Sequence, residues 1–130
     1  MEITLLKSKL HRATVTEANL NYMGSITIDS YLMEQAGILE YEQVHVADID
    51  NGNRLITYAI KGEAGSGVVC LNGAAARHVQ VGDKVIVMSY AQFTPAEANE
   101  HSPAVVLLDN NNIVADIVSC EKQGTERNCL

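Results

Sequence analysis

Positive charge is scarce in this chain: 9 lysines and arginines stand against 16 aspartates and glutamates, a formal net charge of −7. Nucleic acid and anionic membrane surfaces are bound through clustered cations, so neither is expected as the main partner. A locally positive pocket for an acidic small molecule remains compatible with the balance. Cysteine is sparse too. Cys70, Cys120 and Cys129 are odd in number and widely spaced, which weighs against a disulfide framework or a zinc ribbon. The histidine and cysteine spacings offer no metal site. No apolar run approaches membrane-spanning length. The start, Met1-Glu2-Ile3-Thr4-Leu5-Leu6-Lys7, lacks the basic region and long apolar stretch of a secretion signal. The expectation is a cytoplasmic protein of a reducing compartment.

What is present suits one domain over residues 1–130, with 47% apolar residues to fill its core. A domain of this size buries roughly two-thirds of its unfolded surface. Short extended segments dominate. Val44 and Val46 alternate with Gln43 and His45, the mark of a strand with one buried face. Asp50-Asn51-Gly52-Asn53 reads as a hairpin turn into a strand from Arg54 to Ile60. Gly62 to Gly67 marks another turn, ahead of the apolar run Val68 to Leu71. Further strands are expected at residues 2–6, 11–16, 84–90, 105–108 and 113–118. Helices are few. Asp29 caps one through Ala36, with Gly37 as its stop. Asn72 to His78 reads as a tight turn with one helical turn, and a third helix begins near Pro95. A weak echo links Ile38-Leu39…Val44-x-Val46 to Val79-x-Val81…Val85-x-Val87. Many short strands with Gly-rich turns point to a closed barrel. Residues 119–130 read as a polar, flexible tail.

The chemistry concentrates at Tyr22-Met23-Gly24-Ser25-Ile26-Thr27-Ile28-Asp29. A glycine without a Cβ lets the backbone be strained and its carbonyl be approached closely. Ser25 Oγ attacking the Gly24 carbonyl would turn the amide into an ester. Loss of the Ser25 α-proton then expels the ester, and hydrolysis releases ammonia and leaves a pyruvoyl group at the new N-terminus. Gly65-Ser66 is an internal control: the same dipeptide lies in what reads as a relaxed turn. Local strain, with a donor for the oxyanion, must distinguish the two.

Seven blocks in fixed order carry a resemblance to the pyruvoyl-dependent aspartate 1-decarboxylases. They are Lys9-Leu10-His11-Arg12, Tyr22-x-Gly24-Ser25-x-x-Ile28-Asp29, Ala36-Gly37-Ile38-Leu39-Glu40, and Asn51-Gly52-x-Arg54-x-x-Thr57-Tyr58-Ala59-Ile60. Gly65-Ser66, Asn72-Gly73-Ala74-Ala75-Ala76 and Val81-Gly82-Asp83-x-Val85-Ile86 complete the set. They cover about residues 9–90, and beyond Tyr90 the resemblance thins. Ile26 stands where some members carry cysteine or another residue.

The resemblance implies a mainly β fold, a six-stranded double-psi β-barrel with a few short helices. It implies a homotetramer that converts L-aspartate to β-alanine and CO2 for pantothenate and coenzyme A synthesis. It also implies a cut between Gly24 and Ser25, giving a β chain (1–24) and an α chain (25–130). Whether the cut is spontaneous or needs an accessory maturation protein stays open. The cofactor would be the pyruvoyl group made from Ser25, with no metal and no pyridoxal phosphate. Its carbonyl would form a Schiff base with the substrate amine and act as the electron sink.

The same resemblance makes Tyr58 the proton donor, and a phenol protonated at neutral pH can serve. It makes Arg54 the partner of a substrate carboxylate, which its planar fork pairs through both oxygens. Thr57 would contact substrate and polarise the Gly24 carbonyl; next to Tyr58 on a strand, it points to the opposite face. Gly73, Ala74 and Ala75, following Asn72, offer backbone N–H groups as an anion cradle. Lys9 and His11 alternate along an extended segment that can put them on one face, where they would stabilise substrate charge or assist the self-cleavage, and Tyr22 orients the loop before the cut. Each of these residues also has an ordinary structural reading. Two other functions compete: a serine hydrolase built on Ser25, which lacks the Gly-x-Ser-x-Gly elbow, and a small barrel that binds or assembles without chemistry.

Overall fold

The computed structural model describes residues 1–123. Nine strands and three short helical segments follow one another along the chain. The order is β1 (Ile3–Thr14), β2 (Glu17–Asn19), β3 (Ser25–Asp29), α1 (Ser30–Ala36), β4 (Gln43–Asp48), β5 (Arg54–Gly62) and β6 (Val69–Asn72). A 3₁₀ helix (Gly73–His78), β7 (Lys84–Phe93), α2 (Pro95–Glu100), β8 (Ala104–Leu108) and β9 (Val114–Val118) complete it.

The strands form one sheet in the order β2-β6-β3-β5-β4-β7-β1-β8-β9. β1 and β2 are nearly continuous in the chain, so the sheet closes through them into a ring. Hydrogen bonds from Thr16 N to Val69 O (2.8 Å) and Val15 N to Asp83 O (2.9 Å) fasten that seam. Counting β1 and β2 as one stave, six staves surround the core, and β8 and β9 form an antiparallel hairpin added beside β1. This is the mainly β, six-stranded barrel with short helices that was expected, drawn as nine segments. Within the ring β2–β6 and β3–β5 are parallel and the other contacts antiparallel. Parallel neighbours cannot be joined by a tight hairpin, so the connections cross, as a double-psi barrel requires.

The alternation read in β4 holds: Val44 and Val46 are buried, as are Val85 and Val87 of β7, and Val46 lies opposite Val87. The two strands that carry the sequence echo are therefore neighbours. Their side chains meet Leu10, Ile26, Ile28, Ala59 and Leu71 in a single core. The two expected stretches at residues 2–6 and 11–16 are merged in β1, which bends at two bulges, the second containing Arg12 at φ 64°. An extra residue in one strand sharpens the twist and lets a long strand curve around a small barrel. The short strands β2 and β3 went unread. β3 is the more consequential, because it begins at Ser25 and is buried on both faces.

Helix α1 matches its expected caps. Asp29 accepts from Tyr31 N, and Gly37 closes the helix in the left-handed conformation at φ 68°. α2 opens at Pro95 behind a Thr94/Glu97 capping box. Of the expected tail, Glu121 pairs with Lys9, and residues 124–130 lie outside the described residues. Cys70 is a buried free thiol.

Candidate active site

Ser25 opens β3 between two partners. Antiparallel pairing sets it opposite Asn72 of β6, while parallel pairing of Ile26 with Ala59 places it one residue beyond the β5 register, beside Tyr58. Ser25 is 3% exposed and has φ 129°. That region is nearly closed to residues with a Cβ and costs about 1–3 kcal/mol. The strain expected at Gly24 thus falls on Ser25. Gly24 is exposed, and a Cβ built on it would meet nothing within 4 Å.

The close approach belongs to Gly73. It sits at φ 59°, and a Cβ there would lie 3.0 Å from both Gly24 N and Gly24 Cα and 3.1 Å from Tyr22 O. Gly73 must therefore lack a side chain so that the loop before Ser25 can lie against the start of the 3₁₀ helix. Tyr22 itself is exposed; its carbonyl, not its ring, is the part against Gly73.

Asn72 organises the serine. Its Nδ2 donates to Ser25 Oγ at 3.2 Å and to Thr27 Oγ1 at 2.9 Å. The Cys70 thiol donates to Asn72 Oδ1 at 3.0 Å. Burial, aided by Glu17, pushes that thiol up to about 11, so it remains a protonated donor at neutral pH. With Oδ1 occupied by S–H, the amide nitrogen must face the hydroxyls. Cys70 and Thr27 were not read as part of the site; their spacing from Asn72 and Ser25 becomes meaningful only once β3 and β6 pair. Asn72 Oδ1, the atom that could accept from the helix, is taken by the Cys70 thiol, so Asn72 does not cap the 3₁₀ helix with its side chain. The first N–H groups of Gly73, Ala74 and Ala75 are left without that acceptor.

Gly65-Ser66 differs in burial, hydrogen bonding and backbone conformation. Ser66 is exposed and donates to Glu63 O at 2.6 Å, while accepting from Val68 N at 3.2 Å. Gly65 N and Gly67 N donate to the Asp29 carboxylate at 3.0 and 2.9 Å. The turn is tied down and its serine is not among the residues of positive φ.

The remaining expected residues are distributed over the barrel. On β5, Arg54, Ile56 and Tyr58 share the outer face, while Leu55, Thr57 and Ala59 turn inward. Thr57 and Tyr58 do point opposite ways, as strand geometry dictates. Among the described residues Thr57 makes no hydrogen bond to the Gly24 carbonyl. Lys9 and His11 share a neighbourhood on β1. Lys9 pairs with Glu121, and burial, with Lys9 and then Arg12 nearby, lowers His11 from 6.5 against the pull of Glu121. His11 Nδ1 is buried without a partner. No described contact links this pair to Ser25, Arg54 or Tyr58.

Comparison with known proteins accords with this geometry. A sequence model of the aspartate decarboxylase family matches residues 1–115. An aspartate 1-decarboxylase of Clostridium kluyveri is 64% identical over 124 residues, covering 95% of this chain and 98% of the relative. One from Clostridium botulinum strain Langeland matches equally, and one from Clostridium acetobutylicum is 58% identical over 125 residues, 96% of this chain and 98% of its own. Similarity thus continues past Tyr90, where it had been read as thinning. Among solved structures, a computationally designed protein, msDPBB_sym2, aligns at 18% identity and a TM-score of 0.42, over 67% of this chain and 99% of that one. With a family match over most of the chain and relatives matched nearly end to end, the chain belongs to the aspartate decarboxylase family.

Proposed function

We propose that this enzyme converts L-aspartate to β-alanine and CO2, supplying pantothenate and coenzyme A synthesis, after cutting itself between Gly24 and Ser25. The observation that carries the reading is Ser25 itself: a buried serine at φ 129°, its hydroxyl held by the Asn72 amide. Strain at the scissile junction raises the ground state of the peptide toward the shifted ester. The mature protein is then one domain made of a β chain (1–24) and an α chain (25–130).

The Ser25 environment fits a small covalent ketone: it is enclosed, and its polar neighbour is a donor amide. The pyruvoyl group supplies the electron sink that no ordinary side chain provides. The chain's own residues do the rest. Arg54 holds the side-chain carboxylate of aspartate, so that the α-carboxylate occupies the less polar position and departs. The N–H groups of Gly73, Ala74 and Ala75 steady substrate charge, and Thr57, on the face of β5 opposite Arg54 and Tyr58, contacts the same substrate where the strand twists at a subunit boundary. The Tyr58 hydroxyl returns a proton to the α-carbon.

Arg54 and Tyr58 face outward in a single chain, with Tyr58 39% exposed. In the homotetramer that the reading includes, a second copy packed against β5 would exclude water from them. Lys9 and His11, which no described contact links to Ser25 in their own chain, would support charge at a neighbour's site. A cytoplasmic location suits such a biosynthetic enzyme.

The test is intact mass of purified protein. Two fragments are expected, the larger lighter by one ammonia than a chain starting at Ser25 and reactive toward a carbonyl reagent. Ser25→Ala should give one uncut, inactive chain. A fully active protein consisting of uncut polypeptide would refute the reading.

A further inference from the structure

Three carboxylates that the proposed chemistry does not use converge at the far end of β4. Asp48 ends that strand, Asp50 lies in the β4–β5 turn, and Asp83 precedes β7; one oxygen from each lies within 4.8 Å of the others. Backbone N–H groups hold one oxygen of each. Asp48 Oδ1 accepts from Asp50 N and Asn51 N at 2.8 and 3.2 Å. Asp50 Oδ2 accepts from Lys84 N at 2.8 Å, and Asp83 Oδ2 from Gln80 N at 3.0 Å.

Asp48 Oδ2 is different. Asp48 is 2% exposed, and this oxygen is buried with no hydrogen-bond donor. Among the described residues no lysine, arginine or histidine forms an ion pair with any of the three. Lys84, which follows Asp83 in the chain, spends its ammonium on Thr14 and Asn110. A buried carboxylate oxygen facing two further acids without a counter-charge is costly. Either a proton or a cation must sit among them.

We propose that Asp48, Asp50 and Asp83 bind a divalent cation of the calcium type. The donors are all hard oxygens, which select calcium-like ions over soft metals. Oxygens each about 2.3–2.6 Å from one ion can lie no more than about 5 Å apart, in keeping with the observed 4.8 Å limit. Asp50 is exposed and Asp83 half-buried, so water can complete the irregular shell that calcium accepts and magnesium tolerates poorly. The site was invisible to a reading of histidine and cysteine spacing, because its ligands are aspartates 35 residues apart in sequence. Bound there, the ion would clamp the β4–β5 turn to the start of β7.

Titration calorimetry with calcium chloride on the chelator-treated full chain tests this, with thermal unfolding in parallel. Neither readout depends on whether the chain cuts itself. The expected result is one calcium per chain, a Kd around 10⁻⁴–10⁻³ M, and a melting temperature raised by several degrees. Asp50→Asn keeps an acceptor for Lys84 N, so it should match the parent without calcium yet bind about tenfold more weakly. Asp48→Asn, whose amide can donate to Asp83, should fold and lose the calcium response. No saturable binding by the parent, or binding unchanged in Asp48→Asn and Asp50→Asn, would overturn the proposal in favour of a shared proton or a diffuse surface effect.

Discussion

Ser25 is held in a conformation that suits glycine, and the surrounding structure keeps it there through contacts of residues without large side chains. Asn72 is the central one, touching Ser25 Oγ, Thr27 Oγ1 and the Cys70 thiol at once. Asn72→Ala leaves that buried thiol without its acceptor and frees the serine. It should cost about 1–3 kcal/mol in urea unfolding and slow the appearance of the two fragments on a denaturing gel. Gly73→Ala asks for a Cβ 3.0 Å from Gly24 backbone at φ 59°. The loop must shift, so cleavage should slow markedly while α1 and the core remain, visible as an unchanged far-ultraviolet dichroism spectrum. Parent-like cleavage in Gly73→Ala would remove the loop contact from the account.

At the scale of elements, Asp29 joins two pieces of structure. Its carboxylate caps α1 and also binds Gly65 N and Gly67 N. Asp29→Ala should therefore cost more than an ordinary cap, about 2–4 kcal/mol, and should loosen the Gly62–Gly67 turn to limited proteolysis. Strand β1 contributes a pH dependence through His11. Burial first, then Lys9 and Arg12, keeps His11 below its ordinary 6.5. As pH falls below 6.5 the unfolded chain takes up this proton before the folded one does. Stability from neutral His11 is therefore complete above that value and lost as pH drops through the lowered folded pKa. Urea midpoints measured from neutral to mildly acid pH should fall in that window, and His11→Asn should flatten the slope.

For the whole molecule, the closed ring explains why chemistry-bearing residues of one strand face different ways. β5 must present Leu55, Thr57 and Ala59 to the barrel and Arg54, Ile56 and Tyr58 away from it. Ile56 is 59% exposed between two residues proposed to handle substrate, which is where a second copy is expected to pack. Ile56→Asp should lower the assembly mass in light scattering and reduce turnover together. Full activity from a monomer would separate the site from assembly.

Much of this was legible in the residues. Alternating Val44 and Val46 identified β4, Asp29 and Gly37 bounded α1, and the order of short motifs named the family. These signals are local: a cap, a turn or an alternating face is decided by neighbours in sequence. Pairing of β3 with β6 was not legible, so neither was the grip of Asn72, Thr27 and Cys70 on Ser25. The strain was expected one residue early, because glycine's freedom is a local property while φ at Ser25 is imposed by two flanking strands. The acid cluster of Asp48, Asp50 and Asp83 likewise exists only after the ring closes. Sequence by itself determined which segments fold and what chemistry Gly24-Ser25 can undergo. Only the tertiary structure decided which residue bears the strain and which side chains share a place, because contacts between distant segments arise from strand register and barrel closure.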